Sequence, residues 1–221
     1  MITSLDPEYK DTIQIISGER TLPEISQRLI KWINKEYEVQ AINVYYDKII
    51  PDDRRRIQII FENSEDNAKF HENGIGNYLV EKQKAISEKY IELVKQMGLK
   101  DDYPTDNVFV CFSEFSSIYR SNIYNSVPKD QLNELFEKYK NQHVWEIKVY
   151  GSGLIVFFYT NDEKNSRDYD KMIENLQTEY FSLLKPFDEF GYLNNTWVKK
   201  ESKEDFDNIY EGNWFYWSRD H

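Results

Sequence analysis

A short pattern that occurs twice is the feature that most constrains the fold of this chain of 221 residues. Residues 115–122 and 206–213 both read F-x-x-I-Y-x-x-N, and each segment follows the third predicted strand of its half. The predicted elements before the two segments also come in the same order: a helix, two strands, a long helix and a further strand. Because repeated segments in matching order indicate an internal duplication, we expect an α+β fold with a tandem duplication of one α-β-β-α-β unit. The alternative is coincidence in a chain rich in Phe, Ile, Tyr and Asn.

The spacing of apolar residues predicts the elements of each unit. In the first unit Ile25, Leu29 and Ile33 recur at helical spacing, whereas Ile42 and Val44 alternate with polar residues as in a half-buried strand. Similar patterns predict, in order, a strand over 57–61, a helix over 79–97, a strand over 108–112, a helix over 128–139, a hairpin over 144–150 and 154–159, a helix over 172–187 and a short strand from 197. Because the strands of a hairpin run antiparallel, we expect mainly antiparallel sheets.

The boundaries of the two units follow from these elements. We expect a polar lead-in over residues 1–21, a first repeat unit over 22–125 and a second repeat unit over 128–221. The duplication also predicts that Tyr119 superposes on Tyr210 and Asn122 on Asn213, because these residues occupy the same positions of the repeated pattern. The pattern leaves open whether the two units share one sheet.

The charge balance excludes several classes of partner. With 28 Lys and Arg residues against 39 Asp and Glu residues, the formal net charge is −11 at pH 7, so most of the surface would repel a nucleic-acid backbone. Asp6, Glu8 and Lys10 interrupt any apolar core of a signal peptide, and no apolar run approaches the roughly 18 residues of a membrane span. The scarcity of Ala beside abundant Lys, Asn and Ile indicates an AT-rich, bacterial genome. We therefore expect an acidic cytoplasmic protein with no nucleic-acid or membrane partner.

The cysteine, histidine and acidic residues show no sequence pattern that is typical of a catalytic site. The single cysteine, Cys111, lies between apolar residues of a predicted strand, where burial would keep its thiol protonated and inert. His71 and Glu72 begin a zinc-binding pattern, but Ile75 stands where that pattern needs a second histidine. Carboxylates are abundant, and their spacing alone does not place two of them in one cleft. We therefore expect no catalytic residue, no metal and no cofactor, and hence no enzymatic activity.

The C-terminal segment combines acidic and aromatic residues at an unusual density. Acidic residues recur throughout 201–211, and the aromatic run 214–217 follows them. Aromatic side chains supply much of the binding energy at protein interfaces, and carboxylates speed the encounter with a basic partner. The candidate partner-binding residues are Glu204, Asp205, Asp207, Glu211, Trp214 and Trp217. The alternative is that the aromatic residues close the core of the second unit, and the sequence leaves both possibilities open.

The second half of the chain resembles the YezG-like immunity proteins of bacterial polymorphic-toxin systems. The resemblance lies in a first strand over 145–150, a second strand over 156–159, a helix that ends near Phe187, and then Trp197 and Phe206 with Tyr210. It covers less than half of the chain, and that family has one unit where this chain has two. The resemblance implies a cytoplasmic, non-enzymatic protein that binds a partner nuclease.

Three functions are compatible with the sequence. The first is a non-enzymatic cytoplasmic binding protein, such as an immunity protein or antitoxin that occludes a basic toxin. The second is a small-molecule or regulatory binding module with a cleft between the two repeat units. The third and weakest is a hydrolase that uses carboxylates or a divalent metal. A broad acidic face with exposed Trp would favour the first function, an apolar pocket the second, and a groove of clustered carboxylates the third.

Overall fold

The structure, a computed structural model, describes residues 3–49, 54–74, 76–140, 143–194 and 196–220. The chain divides into two compact units, Met1–Tyr119 and Arg120–His221. This division falls inside a helix, whereas the sequence pattern places it after that helix, between residues 125 and 128. Among the described residues, every helix is too short or too polar to traverse a lipid bilayer.

The first unit contains one three-stranded sheet and the helices that pack on it. Its elements, in order, are α1 (Pro7–Ile16), α2 (Glu24–Tyr37), β1 (Ala41–Lys48), β2 (Arg55–Phe61), α3 (Ser64–Ala68), a 3₁₀ turn (Glu72–Gly74), α4 (Val80–Met97) and β3 (Val108–Glu114). The helix α5 (Ser116–Ser126) follows β3 and contains the division between the two units.

Apolar periodicity explains how α2 and α4 cover one face of this sheet. Ile25, Leu29 and Ile33 share one side of α2, Tyr90 and Val94 share one side of α4, and all five side chains are buried. They form a single core with alternating residues of the three strands, which are Ala41, Val44, Ile57, Ile59, Phe61, Val110 and Phe112. The predicted buried sides of α2, α4 and β2 therefore meet in the core, whereas the bulge after Ala41 places Ala41, rather than the predicted Ile42, in the core with Val44.

The strand order β1-β2-β3 forms a mixed sheet, and the expectation of mainly antiparallel sheets is corrected here. β1 and β2 form the predicted antiparallel hairpin, but β2 and β3 run parallel, from Arg55 beside Val108 to Phe61 beside Glu114. The connection between the strands is the physical reason. The helix α4 lies between β2 and β3 in the chain, and a helical crossover of this kind joins parallel strands.

The second unit repeats this arrangement with a three-stranded sheet of its own. Its elements are α6 (Lys129–Tyr139), β4 (Val144–Tyr150), β5 (Gly153–Phe158), α7 (Asn161–Asn165), α8 (Asp170–Leu184), a 3₁₀ turn (Lys185–Phe187), β6 (Val198–Ser202), α9 (Lys203–Tyr210) and α10 (Trp214–Arg219). β4 and β5 are antiparallel, and β5 and β6 are parallel. The α+β class with repeated units is thus confirmed.

Local details of the backbone also repeat in the two units. A β-bulge interrupts each hairpin, directly after Ala41 in the first unit and directly after Val144 in the second. Each middle strand then leads into a short helix whose first turn is capped by a side chain, Asn63 before α3 and Thr160 before α7. These shared irregularities support a duplication independently of the residue identities.

The repeated F-x-x-I-Y-x-x-N pattern, in contrast, does not occupy equivalent places. Asn122 lies within α5, whereas Asn213 lies beyond α9 and caps α10, so the predicted superposition of these two residues is wrong. Tyr119 is in the interior of α5, but Tyr210 is the last residue of α9. The repeated pattern therefore begins at a different distance from the third strand in each unit.

Backbone hydrogen bonds show which residues of the two units are structurally equivalent, although the repeated sequence pattern does not. The Ser116 amide donates to the Glu62 carbonyl at 3.0 Å, and the Glu204 amide donates to the Tyr159 carbonyl at 3.3 Å. Both bonds join the helix after the third strand to the residue after the middle strand. Ser116 is accordingly equivalent to Glu204, and each unit buries the Phe of the pattern at a different position relative to its helix.

The two units cover the second face of their sheets in different ways. In the first unit α1 packs on it through polar contacts: Asn43 Nδ2 donates to Asp11 Oδ2 at 3.1 Å and to Thr12 Oγ1 at 2.9 Å. Arg56 Nη1 also lies 3.1 Å from Glu8 Oε1. The predicted polar lead-in therefore contains a helix whose buried side is polar. In the second unit α9 and α10 supply aromatic side chains instead.

Candidate functional site

An aromatic cluster in the second unit forms the base of the candidate binding surface. It contains Trp145 from β4, Phe157 from β5, Phe206 from α9, and Trp214 and Trp217 from α10. The Trp214 ring lies 4.3 Å from the Phe206 ring and is stacked on Trp145 with centroids 5.9 Å apart. The Trp217 ring lies 5.7 Å from Phe157. Since α10 is too short to be stable alone, these ring contacts are what hold it on the sheet.

The helical period of α10 separates its aromatic residues onto two faces. Trp214 and Trp217 are three positions apart and both face the cluster. Trp217 is only 5% exposed and is a core residue, whereas Trp214 lies at the rim of the cluster with 36% exposure. Phe215, on the other face, is 70% exposed. Trp217 thus closes the core of the second unit, whereas Trp214 and Phe215 keep exposed surface.

Exposed apolar side chains continue from α10 to the end of α9, where Ile209 is 63% exposed. We define the C-terminal surface as Ile209, Glu211, Trp214, Phe215 and Tyr216. A groove of about 400 Å³ adjoins it and is lined by Lys148, Val149, Trp214, Phe215, Trp217 and Ser218. Exposed apolar side chains of this kind are frequent at interaction sites, so this surface is the candidate binding surface.

Two lysine side chains lie over the tryptophan rings of the cluster. Lys148 Nζ is 4.9 Å from the Trp214 ring centroid, and Lys203 Nζ is 5.3 Å from the Trp145 centroid. Lys203 also forms an ion pair with Asp207, whereas Lys148 has no ion pair within the described part of the chain. Sequence reasoning missed Lys148 and Trp145, because only the folded chain brings β4 beside α10.

Two of the predicted partner-binding acids, Asp205 and Glu204, make hydrogen bonds within the second unit. The Asp205 carboxylate accepts hydrogen bonds from Lys164 Nζ at 2.6 Å and from Asn161 Nδ2 at 2.7 Å. The ammonium group of Lys164, with the Asn161 amide, lowers the pKa of Asp205 below its ordinary value. Glu204 Oε2 accepts from the Asn161 backbone amide at 2.9 Å. Both acids therefore join α9 to α7 within the unit.

Among the predicted residues, Glu204, Asp207, Glu211 and Trp214 are exposed to solvent. Glu211 is exposed in a left-handed conformation with φ 55°, and its carboxylate forms no ion pair with any described residue. Asp207 is exposed but paired with Lys203. Sequence reasoning did not single out Phe215, although consecutive aromatic residues on one helix cannot all face the core.

At the carboxyl ends of the parallel strands, side chains of the same unit accept hydrogen bonds from backbone amides of the following helices. This edge is where parallel sheets commonly bind anions, at the first amides of the following helices. In the second unit Glu204 accepts from the Asn161 amide, and Ser202 Oγ accepts from the Asp205 amide at 3.0 Å. In the first unit Glu114 accepts from an amide of α5 at 2.9 Å. These amides are already satisfied and do not form a phosphate cradle.

The residues that the sequence singles out for chemistry are dispersed. Cys111 is buried, as predicted, and burial raises the pKa of its thiol to about 12. His143 Nδ1 lies 2.7 Å from Glu163 Oε1, and His71 lies in the first unit. Ile75, where the zinc pattern fails, is outside the described residues. Among the residues that the structure describes, no group of three or more His, Cys, Asp or Glu side chains could hold a metal ion.

A second open groove of about 790 Å³ lies between α6 and α8 and is lined by Gln131, Glu134, Leu135, Lys138, Glu179, Ser182 and Leu183. Lys138 Nζ pairs with Glu179 Oε1 at 2.6 Å, and the Tyr139 hydroxyl donates to the same oxygen at 2.9 Å. Lys138 and Glu179, the oppositely charged pair that lines this groove, are therefore already bound to each other. We therefore assign the candidate site to the C-terminal surface.

No protein-family model matches this chain, and no curated protein matches it. One solved structure, titled "Crystal structure of APE1850", is 13% identical over 81% of this chain and 100% of that chain, with a TM-score of 0.19. A similarity at this TM-score carries no argument about fold or function.

Proposed function

We propose that the protein is a non-enzymatic, cytoplasmic binding protein that occludes a basic protein partner, as an immunity protein or antitoxin occludes a toxin. The observation that carries the proposal is the C-terminal surface, where Ile209, Trp214, Phe215 and Tyr216 stay exposed above a well-packed aromatic cluster. Aromatic anchors with a carboxylate at their rim, here Glu211, are the composition expected of a protein interface.

The charge of the chain favours a basic partner. With a formal net charge of −11, the field of the whole protein attracts a cationic surface over distances of about a Debye length. Asp205 and Glu204 are engaged within the unit, so their direct contribution to an interface is small. We therefore expect the overall charge and Glu211 to set the association rate, and the aromatic side chains to set the dissociation rate.

The test begins with the partner that the tagged protein retains from a lysate of its native host, purified for binding measurements. Phe215→Ser and Ile209→Ser remove exposed apolar surface without disturbing a buried side chain. If the C-terminal surface is the interface, each variant weakens the complex by about tenfold or more, mainly through faster dissociation.

The matched control is Val80→Ser, because Val80 in α4 is 70% exposed, as Phe215 is, and belongs to the first unit. This variant should bind the partner as the unmodified protein does. A partner whose affinity is the same for Phe215→Ser, Ile209→Ser and Val80→Ser would contradict the proposal. A retained partner with an acidic rather than a basic surface would contradict it equally.

A further inference from the structure

We propose, on the premise of this function, that the partner adds an extended strand to the open edge of β4. The added strand lies along the groove of about 400 Å³ between β4 and α10 and places a carboxylate side chain opposite Lys148. The basic groups of the same partner lie outside this groove, where Glu211 and the acidic field of the chain attract them.

The hydrogen-bond pattern of the β4–β5 hairpin shows that one edge of β4 is open. Tyr150 and Gly153 flank a two-residue turn and form a hydrogen-bonded pair, so the next pair, Val149 with Leu154, is not bonded. The Leu154 amide confirms this alternation, because it donates at 2.8 Å to the Trp197 carbonyl, on the side of β6. The Val149 amide and carbonyl therefore point away from β5 and have no hydrogen-bond partner among the described residues.

A side chain covers part of the corresponding edge in the first unit. Both hairpins have their bulge at the same place, so Val44 of β1 is equivalent to Ile147 of β4. The Val44 carbonyl accepts from Ser26 Oγ of α2 at 3.4 Å, whereas in the second unit the Ile147 amide donates to Glu146 Oε1 at 2.9 Å. Each unit thus satisfies one backbone group of this edge, and the edge of β4 stays open at Val149, which also lines the groove.

The charge and the apolar surface beside this edge define the added strand. Among the described residues, Lys148 is the only charged one that lines the groove, and it forms no ion pair with any of them. A carboxylate on the added strand pairs with Lys148 and leaves its ammonium group over the Trp214 ring, whereas a second cation there would be repelled. Val149 and Phe215, exposed at 38% and 70%, offer apolar surface to neighbouring side chains of that strand. The occupant that fits is an extended segment with a Glu or Asp between apolar residues.

The experiment uses three short synthetic peptides in which Val and Thr alternate around one central residue. The first has Glu at the centre, the second has Lys, and the third has Glu with N-methyl groups on the backbone amides of the residues before and after it. Dissociation constants with the full chain are measured by fluorescence anisotropy at about 0.15 M salt, where the long-range field of the chain is largely screened. We expect the Glu peptide to bind about two- to fivefold more tightly than the Lys peptide, and about tenfold more tightly than the methylated peptide.

Two pairs of variants locate the binding site of these peptides. Lys148→Glu should reverse the preference for the Glu peptide, whereas Lys171→Glu makes the same charge change at an exposed position of α8 and should leave the preference unchanged. Val149→Pro removes an amide that the added strand needs and the β4–β5 ladder does not use, so the Glu peptide should bind about fivefold more weakly. Val149→Thr keeps this amide and the β-branched shape, and it should bind the Glu peptide as the unmodified protein does.

The outcomes separate this inference from the proposed function. Equal dissociation constants for the Glu peptide and its methylated form, a preference that Lys148→Glu does not reverse, or no binding of the two unmethylated peptides would overturn the inference. A failure of the proposed function appears instead as a natural partner whose affinity is insensitive to Phe215→Ser and Ile209→Ser. Because Lys148 is exposed and the methylated peptide needs no variant, the test remains decisive if Val149→Pro unfolds the second unit.

Discussion

The position of each aromatic residue around the axis of α10 determines whether its side chain is buried or exposed. Trp217 inserts between Tyr150 and Phe157, with ring centroids 5.6 and 5.7 Å away, while Phe215 points outward. The two residues are close in the chain and similar in chemistry, yet Trp217 belongs to the core and Phe215 belongs to the exposed surface. The same distinction separates Trp217 from Trp214, which the sequence grouped together as partner contacts.

Substitution by alanine should separate these roles in a urea titration. Trp217→Ala should lower the free energy of unfolding by about 3–5 kcal/mol, because it removes a large buried ring and leaves a cavity. Phe215→Ala should change it by no more than about 0.5 kcal/mol, as is usual for an exposed residue. Equal losses for the two variants would contradict the assignment of α10 faces.

Asp205 is a structural residue whose contribution should depend on pH. Its folded-state pKa is lowered, first by Lys164 and then by Asn161, so the ionised form is the stabilising one. The contribution is therefore fully present above the ordinary pKa of an aspartate, about 3.9, and is lost as the pH falls through the lower folded-state value. Asp205→Asn should cost about 1 kcal/mol at pH 7.

The comparison of this variant with the unmodified protein is made by urea titration between pH 7 and pH 3. The difference in stability should be constant down to about pH 5 and should shrink below about pH 4. Glu211→Gln, which removes an exposed carboxylate without an ion pair among the described residues, is the control and should show no such difference. A difference that grows on acidification would exclude the ion pair with Lys164 as its cause.

Among the elements, the short helices α3 and α7 show how the duplicated unit is built. Each follows the middle strand of its sheet, and each depends on a side chain that caps its first turn. The Asp66 amide donates to Asn63 Oδ1 at 2.8 Å, and the Glu163 amide donates to Thr160 Oγ1 at 3.2 Å. Different residues thus satisfy the same backbone requirement at equivalent places of the two units.

Removal of either cap should destabilise the helix that it begins. Asn63→Ala and Thr160→Ala should each cost about 1 kcal/mol, the usual value of an N-cap. Hydrogen exchange is the measurement: the amides of α3 should exchange faster in the first variant and those of α7 in the second. Ser64→Ala, one residue beyond the first cap and exposed, serves as the control, and equal effects of Asn63→Ala and Ser64→Ala would argue against a capping role.

Across the whole molecule, acidic charge and an exposed aromatic surface act in opposite directions on solubility. The formal net charge is −11 at pH 7, which keeps copies of the chain apart although Phe215 and its neighbours are exposed. This repulsion weakens as carboxylates become protonated. It vanishes near the sequence pI of about 4.9, where apolar contacts between copies are opposed least.

Solubility should therefore pass through a minimum near pH 4.9 and recover towards pH 7. Light scattering of the purified protein across this range is the measurement. Phe215→Ser should reduce scattering at the minimum, because it removes the most exposed apolar side chain of the C-terminal surface. Val80→Ser, which removes an equally exposed apolar side chain from the first unit, is the control. Scattering that does not vary between pH 4 and pH 7 would show that charge repulsion does not control association.

The sequence by itself determined the type and order of most elements, because helical and strand periodicity is a local property. Ile25, Leu29 and Ile33 identify the buried side of α2 without reference to any other segment, and the apolar neighbours of Cys111 identify a buried strand, although β3 lies at the edge of its sheet rather than in its interior. The predicted duplication rests on the same local signals, and the repeated bulges and caps agree with it. The short helices α3, α7 and α10 were missed, because each spans too few residues to show a period.

Only the tertiary structure decided which residues of the C-terminal segment reach solvent. Asp205 is engaged because Lys164, distant in sequence, packs against α9, and Trp214 carries a cation because β4 brings Lys148 beside α10. The parallel direction of β2 and β3 likewise depends on how α4 crosses the sheet. Such contacts join residues far apart in the chain, so their free energies depend on three-dimensional packing that no local pattern records.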